Sequence, residues 1–371
     1  MKQEKYKKIK ILYILPRLTI GGAERLIIDV AKNINKSLFD VKIIFLKENK
    51  GQEIADWEDE LKKNNIPIII VGKNNKLGII HLLNLYKILK KEKVSIIHTS
   101  LFGAVIFGTI AAKLAGVKYV ITTIHGLESY NVIKKFLSII IFRINNKVIA
   151  ISKALKKHLL SYYKVNNKKI KLIYNGINVD EFIYKNRNYN KKERIRVGFV
   201  GRLEKVKGPD YLLQALKHLK NENFICYIAG EGSLKKYLLE VVEKLNLKNK
   251  VKFIGWQKDV SSFLKKIDIF VLSSRNEGLG LAILEAGLSG LPVVASRVGG
   301  IKDIIDDKKN GLLFRKGDVN NLTKKINYLI ENNKERERLG KSLQKKIVKN
   351  FDIKDTVKHY EEIYKNFFIK K

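Results

Sequence analysis

The sequence predicts an α/β protein made of two doubly wound domains that face each other across a cleft. Continuous apolar runs alternate with helical patterns along the whole chain, which favours parallel sheets covered on both faces by helices. The 371 residues suffice for two ordinary domains. Each half also begins with a strand and a glycine-containing loop, ILYILPRLTIGG and RVGFVGRLEKVKG. Ligands of such sheets bind beyond the carboxyl ends of the strands.

The predicted strands are short runs rich in β-branched residues. In the first half they are Ile9–Leu15, Val41–Leu46, Ile66–Val71, Val94–His98, Tyr119–Ile124, Val148–Ile151 and Ile170–Tyr174. In the second half they are Ile195–Val200, Phe224–Ala229, Val251–Ile254, Ile269–Leu272 and Pro292–Ala295. Helices fill the gaps, because apolar residues recur at steps of three and four in segments such as ERLIIDVAKNI, YLLQALKHLK and LKKYLLEVVEKLNL.

The boundary between the domains is predicted in the polar stretch YKNRNYNKKER, Tyr184 to Arg194, which has no apolar period. This placement gives an N-terminal domain of residues 1–185 and a C-terminal domain of residues 193–351. Cys226 is the only cysteine, so no intramolecular disulfide can form. Its setting, NFICYIAG, predicts a small apolar side chain in a buried strand.

The net charge of +38 has two explanations that the sequence leaves open. One is contact with an anionic membrane surface, and the other is the Lys/Asn/Ile-rich composition that an AT-rich genome produces. The lysines are spread over the whole chain, and RNA-binding, zinc-finger and basic-zipper signatures are missing from the sequence. A nucleic-acid partner is therefore not expected.

The start of the chain, MKQEKYKKIKILYILPRLT, superficially resembles a secretory signal. Its apolar core, Ile11 to Leu15, is too short, and no small-residue cleavage site follows. The longest apolar stretch, LFGAVIFGTIAA, ends at Lys113 and is too short to span a bilayer. We expect a cytoplasmic protein, with contact at the inner face of the cell membrane as an open option.

A diphosphate site is predicted in VGFVGRLEKVKGPDYLL. A strand ends at Gly201, and Arg202, Lys207 and Gly208 lead to Pro209, which fits the first position of a helix. Two cations beside a helix N-terminus suit a diphosphate, because the helix supplies N–H groups and the side chains supply charge. The alternative is a pair of solvated surface cations.

Two carboxylates mark the stretch NEGLGLAILEAGLSG. Glu277 precedes a turn with Gly278 and Gly280, which let the backbone approach a ligand. Glu285 falls inside the helix LAILEAGLS, where a carboxylate among apolar neighbours needs a partner. Carboxylates accept hydrogen bonds from the paired hydroxyls of a sugar or a ribose. We therefore expect the two glutamates to hold two hydroxyl-bearing parts of one ligand.

These motifs together resemble those of a known family. Glu277-x7-Glu285 with GLPVVASRVGG resembles the E-x7-E signature of the retaining GT-B glycosyltransferases of family 4, and GRLEKVKG resembles that family's diphosphate loop. The segment IGGAER, Ile20 to Arg25, resembles its glycine-rich first loop, and TIHG resembles its acceptor-side histidine motif. AISKALKKHL, LIYNGINVDEF and IAGEGSLKKYL match in order. The resemblance spans essentially the whole chain and implies two Rossmann-like domains.

The resemblance implies a role for each matching residue. Arg202 and Lys207 would hold the donor diphosphate, Glu277 the donor sugar and Glu285 the nucleotide ribose. The backbone amides of Gly278, Leu279, Gly280 and Leu281 would bind the donor. Gly21 and Gly22 would close on the diphosphate. His125 would reach the transferred sugar. The chain departs from the family at Leu279, often phenylalanine, and at Lys302-Asp303, often Pro-Glu. His98 is interpreted as structural.

The implied reaction moves a hexose or N-acetylhexosamine from a nucleoside-diphosphate sugar to an acceptor hydroxyl. The chain has no Asp-x-Asp triplet, and the cations with helix dipoles can supply the positive charge. We therefore expect neither a metal nor any other cofactor. The family retains the anomeric configuration, and without an evident nucleophile we favour same-face attack, with closure of the domains excluding water.

The expected acceptor is a lipid-linked or growing cell-envelope glycan. The segment Asn131 to Lys164 mixes lysines with apolar residues and predicts docking on an anionic membrane. Its alternative is a pair of core helices with solvated lysines. The final helix, residues 352–371, is expected to pack on the N-terminal domain, as in the family. Two rival functions remain: a GT-B-fold sugar-nucleotide epimerase, and a basic membrane- or nucleic-acid-binding module without catalysis.

Overall fold

The structure is a computed structural model that describes residues 8–18, 21–48, 52–72, 77–127, 131–182, 187–189 and 194–369. The charged start of the chain and most of the predicted linker lie outside these residues. The chain forms two compact units. The first comprises Met1–Gly176 and Ile353–Lys371, and the second comprises Ile177–Asp352.

Each unit contains one sheet of parallel strands, which confirms the predicted fold class. The first sheet has the order β3-β2-β1-β4-β5-β6-β7, where β1–β7 are Ile9–Leu15, Phe39–Phe45, Ile68–Ile70, Ile96–Ser100, Tyr119–Ile124, Lys147–Ala150 and Ile170–Leu172. The second has the order β10-β9-β8-β11-β12-β13, where β8–β13 are Ile195–Val200, Phe224–Ala229, Val251–Gly255, Ile269–Leu272, Val293–Ser296 and Leu312–Phe314.

Helices connect the strands. Helices α1–α6 are Gly22–Asn33, Gln52–Lys63, Ile79–Glu92, Phe102–Leu114, Val132–Ile144 and Lys153–Ser161. Helices α7–α11 are Val179–Phe182, Pro209–Lys217, Lys235–Lys244, Val260–Lys266 and Leu281–Leu288. Helices α12–α15 are Ile301–Ile304, Val319–Glu331, Asn333–Asn350 and Ile353–Ile369. Among the described residues, none of the helices combines the length and apolarity that crossing a membrane requires.

Strand β1 shows why the first sheet is covered on both faces. Successive side chains of a strand point to opposite faces. Ile11, Tyr13 and Leu15 pack in one apolar cluster with residues of α1 and α15, whereas Leu12 and Ile14 pack in another with residues of α3 and α4. The strand is therefore apolar and buried at every position from Ile11 to Leu15, as the continuous apolar run in the sequence predicts.

Both sheets reverse their strand order beside the first strand of the unit. The reversal lies between β1 and β4 in the first sheet and between β8 and β11 in the second. At such a switch point the connections on either side leave in opposite directions, which opens a crevice at the carboxyl ends of the two strands. The predicted site residues follow these strands or their neighbours.

The change from the first unit to the second lies at residues 176 and 177, earlier than the predicted boundary at residue 185. Helix α7 packs on the second unit: Ser261 Oγ donates to Glu181 O at 3.1 Å and Ser289 Oγ to Phe182 O at 3.3 Å. Arg187, inside the predicted linker, donates to the carbonyls of Leu264, Ile267 and Ser289. A polar composition was therefore a poor sign of a linker, because one arginine can bond several backbone carbonyls.

The final helix, α15, belongs to the first unit, as the resemblance implies. Its Tyr364 hydroxyl lies 2.8 Å from the Tyr13 hydroxyl and 2.7 Å from His98 Nδ1. His98 Nε2 lies 2.7 Å from Thr123 Oγ1. Burial lowers the pKa of His98 to about 3, so the ring is neutral at pH 7. With both ring nitrogens bonded, His98 has the structural role that we expected.

Strand β13 is the strand that the sequence analysis missed. It has three residues, Leu312–Phe314, and lies at the edge of the second sheet. A run this short, flanked by Gly311 and Arg315, carries too little periodicity to separate it from a loop. The other predicted strands are present, with ends shifted by up to two residues.

Candidate active site

The loops after β8 and β11 are joined at the switch point of the second unit. Gly208 ends the first loop with φ 63°, and a Cβ atom there would lie 2.2 Å from the carbonyl oxygen of Ser273. Only glycine meets both conditions. Ser273 Oγ in turn donates to Gly208 O at 2.6 Å. Pro209 then occupies the first position of α8, as predicted.

The side chain of Arg275 also connects these two loops through hydrogen bonds. It donates to both carboxylate oxygens of Asp210 at 2.8 and 2.6 Å and to Lys205 O at 2.8 Å. Its guanidinium group also stacks 3.9 Å from the ring centroid of Tyr211. A bidentate arginine–carboxylate pair fixes orientation as well as distance. The loop that carries Lys207 therefore has a defined position before any ligand binds.

The predicted diphosphate and sugar residues meet directly. Lys207 Nζ lies 2.7 Å from Glu277 Oε1, and Ser274 Oγ donates to the same oxygen at 2.7 Å. Ser274 is fully buried, and Glu277 is 8% exposed. The ion pair allows a buried carboxylate at this position, since an unpaired one would be costly to desolvate. The structure thus brings Lys207 and Glu277 together, 70 residues apart in sequence.

Arg202 differs from Lys207 in its surroundings. It follows β8, and its side chain is exposed, with Glu204 close enough to interact electrostatically. Among the described residues, no hydrogen bond from the Arg202 guanidinium group is found. An exposed arginine beside the Lys207 loop remains available to an incoming anion.

The glycine turn after Glu277 leads into α11. Gly280 has φ 103° and immediately precedes the first residue of the helix, Leu281. The first N–H groups of a helix have no partner within the helix, so they face the turn. Leu279 is buried, whereas Gly278 is partly exposed. Glu285 lies within α11 and is partly buried, between the buried residues Leu284 and Ala286.

In the first unit, Gly21 and Gly22 mark the start of α1 after β1. Gly21 precedes the helix with φ −159°, and Gly22 is exposed. A Cβ atom at Gly21 would lie 2.6 Å from Glu24 Oε2, so a side chain there would displace the buried Glu24 carboxylate. Ile20 of the predicted motif lies outside the described residues.

His125 follows β5, and only one of its two ring nitrogens has a hydrogen-bond partner among the described residues. Its Nε2 atom lies 3.3 Å from Ser100 Oγ at the end of β4, while its Nδ1 atom is buried without a hydrogen-bond partner in the described part of the chain. Burial lowers the pKa of His125 to about 4, so the ring is neutral at pH 7. His125 also lines a cavity of about 40 Å³ together with Leu101, Phe102, Val105 and Phe142. A neutral ring with an unbonded nitrogen can bond a hydroxyl group.

Sequence reasoning did not single out Ser273, Ser274, Arg275 or Ser100. Each comes directly after a strand or at its carboxyl end, next to a switch point. The pair Ser273-Ser274 after the apolar run IFVL was a usable signal, because ligand sites lie beyond the carboxyl ends of parallel strands. The partners of Arg275 could not be predicted, since they depend on how two loops 65 residues apart meet.

Two family models match the chain, one for each half. The family "Glycosyltransferase Family 4" matches residues 20–181, and "Glycosyl transferases group 1" matches residues 180–346. Together they cover the site residues in both units. The chain is also 22% identical to an Anabaena protein, HepE, crystallised with UDP-glucose; the two folds agree with a TM-score of 0.86 over 96% of this chain and 100% of that one.

Two relatives match nearly the whole chain. One is the Escherichia coli UDP-Gal:alpha-D-GlcNAc-diphosphoundecaprenol alpha-1,3-galactosyltransferase, 29% identical over 99% of this chain and 99% of its own length. The other is an uncharacterized glycosyltransferase of Methanocaldococcus jannaschii, MJ1178, 30% identical over 90% of this chain and 92% of its own length. These matches, with the two Rossmann-like sheets, confirm the resemblance: the chain belongs to the family 4 glycosyltransferases of the GT-B fold.

Proposed function

We propose that this glycosyltransferase moves a hexose or N-acetylhexosamine from a nucleoside-diphosphate sugar to a hydroxyl group of a cell-envelope glycan, with retention of configuration. The observation that carries the proposal is the meeting of Lys207 and Glu277 at the switch point of the second unit, close in sequence to the first turn of α11. A cation, a carboxylate and helix N–H groups suit the phosphates and the hydroxyl groups of such a donor.

The donor is proposed to lie along the carboxyl ends of β8 and β11. Lys207 and the exposed Arg202 bond the diphosphate, and the backbone amides from Gly278 to Leu281 add hydrogen bonds. Glu277 bonds the sugar, and Glu285, further along α11, bonds the ribose. The Anabaena protein of the same fold was crystallised with UDP-glucose, so UDP-hexoses are the first donors to test.

In the first unit, Gly21 and Gly22 are proposed to approach the diphosphate, and His125 is proposed to bond the transferred sugar. Neutral His125 has one ring nitrogen without a partner among the described residues. One nitrogen of a neutral imidazole donates and the other accepts, so with Nε2 beside Ser100 the remaining nitrogen can form one hydrogen bond to a sugar hydroxyl. Gly22 is exposed at the N-terminus of α1, where the helix dipole favours an anion.

The proposed reaction breaks the bond between the anomeric carbon and the diphosphate oxygen. The acceptor oxygen attacks from the face that the diphosphate leaves, and a phosphate oxygen takes the proton of the acceptor hydroxyl. The departing diphosphate gains negative charge, which Lys207 and Arg202 stabilise.

Because these two cations supply the positive charge that a metal would otherwise supply, we propose that activity needs no metal. Turnover should therefore persist in EDTA. Complete loss in EDTA, restored by magnesium or manganese, would contradict this.

The acceptor is proposed to be a lipid-linked or growing cell-envelope glycan. The E. coli relative is named for transfer to GlcNAc-diphosphoundecaprenol and matches this chain over nearly its full length. The direct test incubates the protein with UDP-hexoses and a polyprenyl-diphosphate sugar, and follows both free UDP and the elongated lipid. The anomeric configuration of the product, measured by NMR, tests retention.

The same assay separates the rival functions. A transferase releases UDP at a rate that depends on the acceptor and yields a new glycosidic bond. An epimerase changes the sugar without any acceptor. A binding module without catalysis gives neither product with any donor, and this last result would contradict the proposed function.

We also propose that α5 docks the protein on an anionic membrane. Val132, Ile133 and Phe136 are 83%, 72% and 63% exposed, and Leu137, Ile140 and Ile144 are exposed too. The alternative of a core helix therefore does not hold for this face of α5. Exposed Lys134 and Arg143 lie on the same helix, and Lys153 and Lys157 on α6. An apolar face with cations suits the interface of an anionic bilayer.

The start of α3 extends this apolar surface. Ile79, Ile80 and Leu83 are exposed, and α3 packs against α4, which packs against α5. The N-termini of all three helices follow strands of the same sheet, so they lie at its carboxyl edge. The docking surface would thus border the end of the sheet that carries His125, where a lipid-linked acceptor has to arrive.

Liposome flotation tests the docking surface. The protein should float with vesicles that contain phosphatidylglycerol, and less as salt rises. Replacing Ile133 and Phe136 by serine should reduce flotation several-fold. The matched control replaces Leu239, a 45% exposed residue of α9 in the second unit, and should float like the wild type. Equal flotation of all three proteins, or no binding at low salt, would contradict the proposal that α5 docks on the membrane.

A further inference from the structure

The Glu277 carboxylate is held through one of its two oxygens. Lys207 Nζ and Ser274 Oγ both lie 2.7 Å from Oε1. In the described chain, no group donates a hydrogen bond to Oε2. The backbone of the residue is fixed as well, because Gly300 N donates to Glu277 O at 3.3 Å. The carboxylate is therefore oriented, with Oε2 left to accept from a ligand.

We propose that Ser274 is the positioning residue that holds Glu277 for the donor sugar. This inference rests on the proposed function, in which Glu277 bonds a hydroxyl group of the transferred sugar. Ser274 does not touch the donor in this proposal. It acts through Glu277, by fixing Oε1 so that Oε2 faces the sugar.

The two donors at Oε1 are not equivalent. Lys207 has three N–H donors on a long flexible chain and is shared with the diphosphate when the donor is bound. Its ammonium group can move toward the phosphates and pull the carboxylate with it. Ser274 is fully buried, three residues before Glu277 in the same loop, and its short side chain has little freedom to move. Ser274 therefore sets the carboxylate in place while Lys207 serves the leaving group.

Ser273 supplies a matched control. It is the adjacent residue, is equally buried and also donates one hydrogen bond, but its partner is Gly208 O rather than Glu277. Removing its hydroxyl disturbs the loop that carries Lys207 and leaves the bond to the carboxylate intact. The cost of losing Ser273 should therefore be largely the same with and without the Glu277 carboxylate, whereas the cost of losing Ser274 should depend on that carboxylate.

The test is steady-state kinetics of Ser274→Ala, Ser274→Thr and Ser273→Ala with the donor that the wild type uses. We expect Ser274→Ala to lower kcat about tenfold and to change the donor KM less than about threefold, since the lost bond is to a charged group. Ser274→Thr keeps the hydroxyl and should restore most of the turnover. Melting temperatures, compared between the two alanine variants, show whether a general loss of stability is responsible.

A double-mutant cycle completes the test. With Glu277→Ala, followed through residual turnover of radiolabelled donor, the additional change Ser274→Ala should cost less than about twofold, because the group that it positions is gone. The inference is wrong if Ser274→Ala keeps wild-type kcat, or if its cost is the same with and without Glu277, as is expected for the control Ser273→Ala. A wild type that transfers no sugar from any donor contradicts the proposed function instead.

Discussion

The two switch points of this protein have the same topology and different chemistry. In the second unit the loops beyond β8 and β11 are joined by two ion pairs, Lys207–Glu277 and Arg275–Asp210. In the first unit the elements beyond β1, β4 and β5 present glycine backbone and a neutral histidine, His125. The loops of the second unit are thus cross-linked by ion pairs. The first unit holds a neutral histidine at its edge, with the charged residues Arg17, Glu24 and Lys47 also beyond its strands.

The difference follows from what each edge is proposed to bind. A diphosphate needs fixed positive charge, and holding that charge in place before binding requires counterions in the loops. A sugar hydroxyl carries no net charge, and the ring nitrogen of a neutral imidazole can form one hydrogen bond with it. The same fold can therefore present an anion site and a hydroxyl site through its loops alone, while the sheet beneath stays the same.

The sharpest test of the diphosphate assignment is Lys207→Ala. The change removes the proposed charge-assisted bond to the diphosphate and leaves Glu277 without its ion-pair partner, so we expect turnover to fall on the order of 100-fold. Steady-state release of nucleoside diphosphate measures the loss, and circular dichroism checks the fold. Wild-type turnover in this variant would remove the diphosphate assignment.

The two glutamates should separate in kinetics. Glu277 is proposed to lie beside the bond that breaks, so Glu277→Gln should lower kcat about 30-fold. Glu285 is proposed to hold a remote hydroxyl pair, so Glu285→Gln should mainly raise the donor KM. Replacing the donor by its deoxyribose analogue should lower kcat/KM less for Glu285→Gln than for the wild type, because the missing hydroxyl and the missing carboxylate are partners. If the two losses simply add, Glu285 does not contact the ribose.

The first unit, which contains the buried histidines, should be more sensitive to acid than the second. Burial lowers the pKa of His98 to about 3 and that of His125 to about 4, below the value of about 6.5 in an unfolded chain. The unfolded state therefore binds more protons between pH 6.5 and pH 4, and stability falls as pH falls through this window. Each histidine should cost the first unit about 2 kcal/mol at pH 5.

Hydrogen exchange at pH 7 and pH 5 can follow the two units separately. The first unit should lose protection at pH 5, and His125→Gln should reduce that loss. The second unit has an exposed histidine, His218, and should change little over the same interval. Equal losses of protection in the two units would show that buried histidines do not set the pH response.

The smallest expected effect is that of Arg202→Ala. Its guanidinium group is exposed, so solvent screens its charge more than that of Lys207. We expect turnover to fall a little more than tenfold, with the fold intact. Arg202→Lys is the matched control and should recover part of the activity, since it keeps the charge and loses the planar fork. An unchanged turnover in Arg202→Ala would restrict the diphosphate site to Lys207.

The sequence predicted the sheets well because parallel strands buried on both faces are apolar throughout their buried part, as β11 and residues Ile11 to Leu15 of β1 are. It also placed Arg202, Lys207 and Glu277 beside strand ends, where ligands bind. The sequence analysis missed strand β13 because three residues are too few to show a pattern of apolar residues. The boundary was misplaced because Arg187 bonds three distant carbonyls, which no local pattern reveals.

The fine geometry of the site could not be predicted from local sequence patterns either, because it depends on contacts between distant segments. That Ser274 and Lys207 share one oxygen of Glu277 depends on how two loops meet in space. The contrast between His98 and His125 also comes from tertiary structure, since both follow apolar strand residues and only α15 supplies the Tyr364 partner of His98. Motifs thus selected the candidate site residues, and tertiary packing determines the hydrogen-bond partners that each of them has in the structure.

Lys207, at the carboxyl edge of the second sheet, is proposed to bind the diphosphate. Calorimetric titration of the wild type, Lys207→Ala and His125→Ala with UDP and with GDP, in EDTA, tests it most directly, because a nucleoside diphosphate carries no sugar for His125 to bond. We predict that Lys207→Ala weakens binding of the preferred nucleotide at least tenfold and that His125→Ala changes it less than about twofold. Unchanged affinity in Lys207→Ala, or equal losses in both variants, would contradict the account.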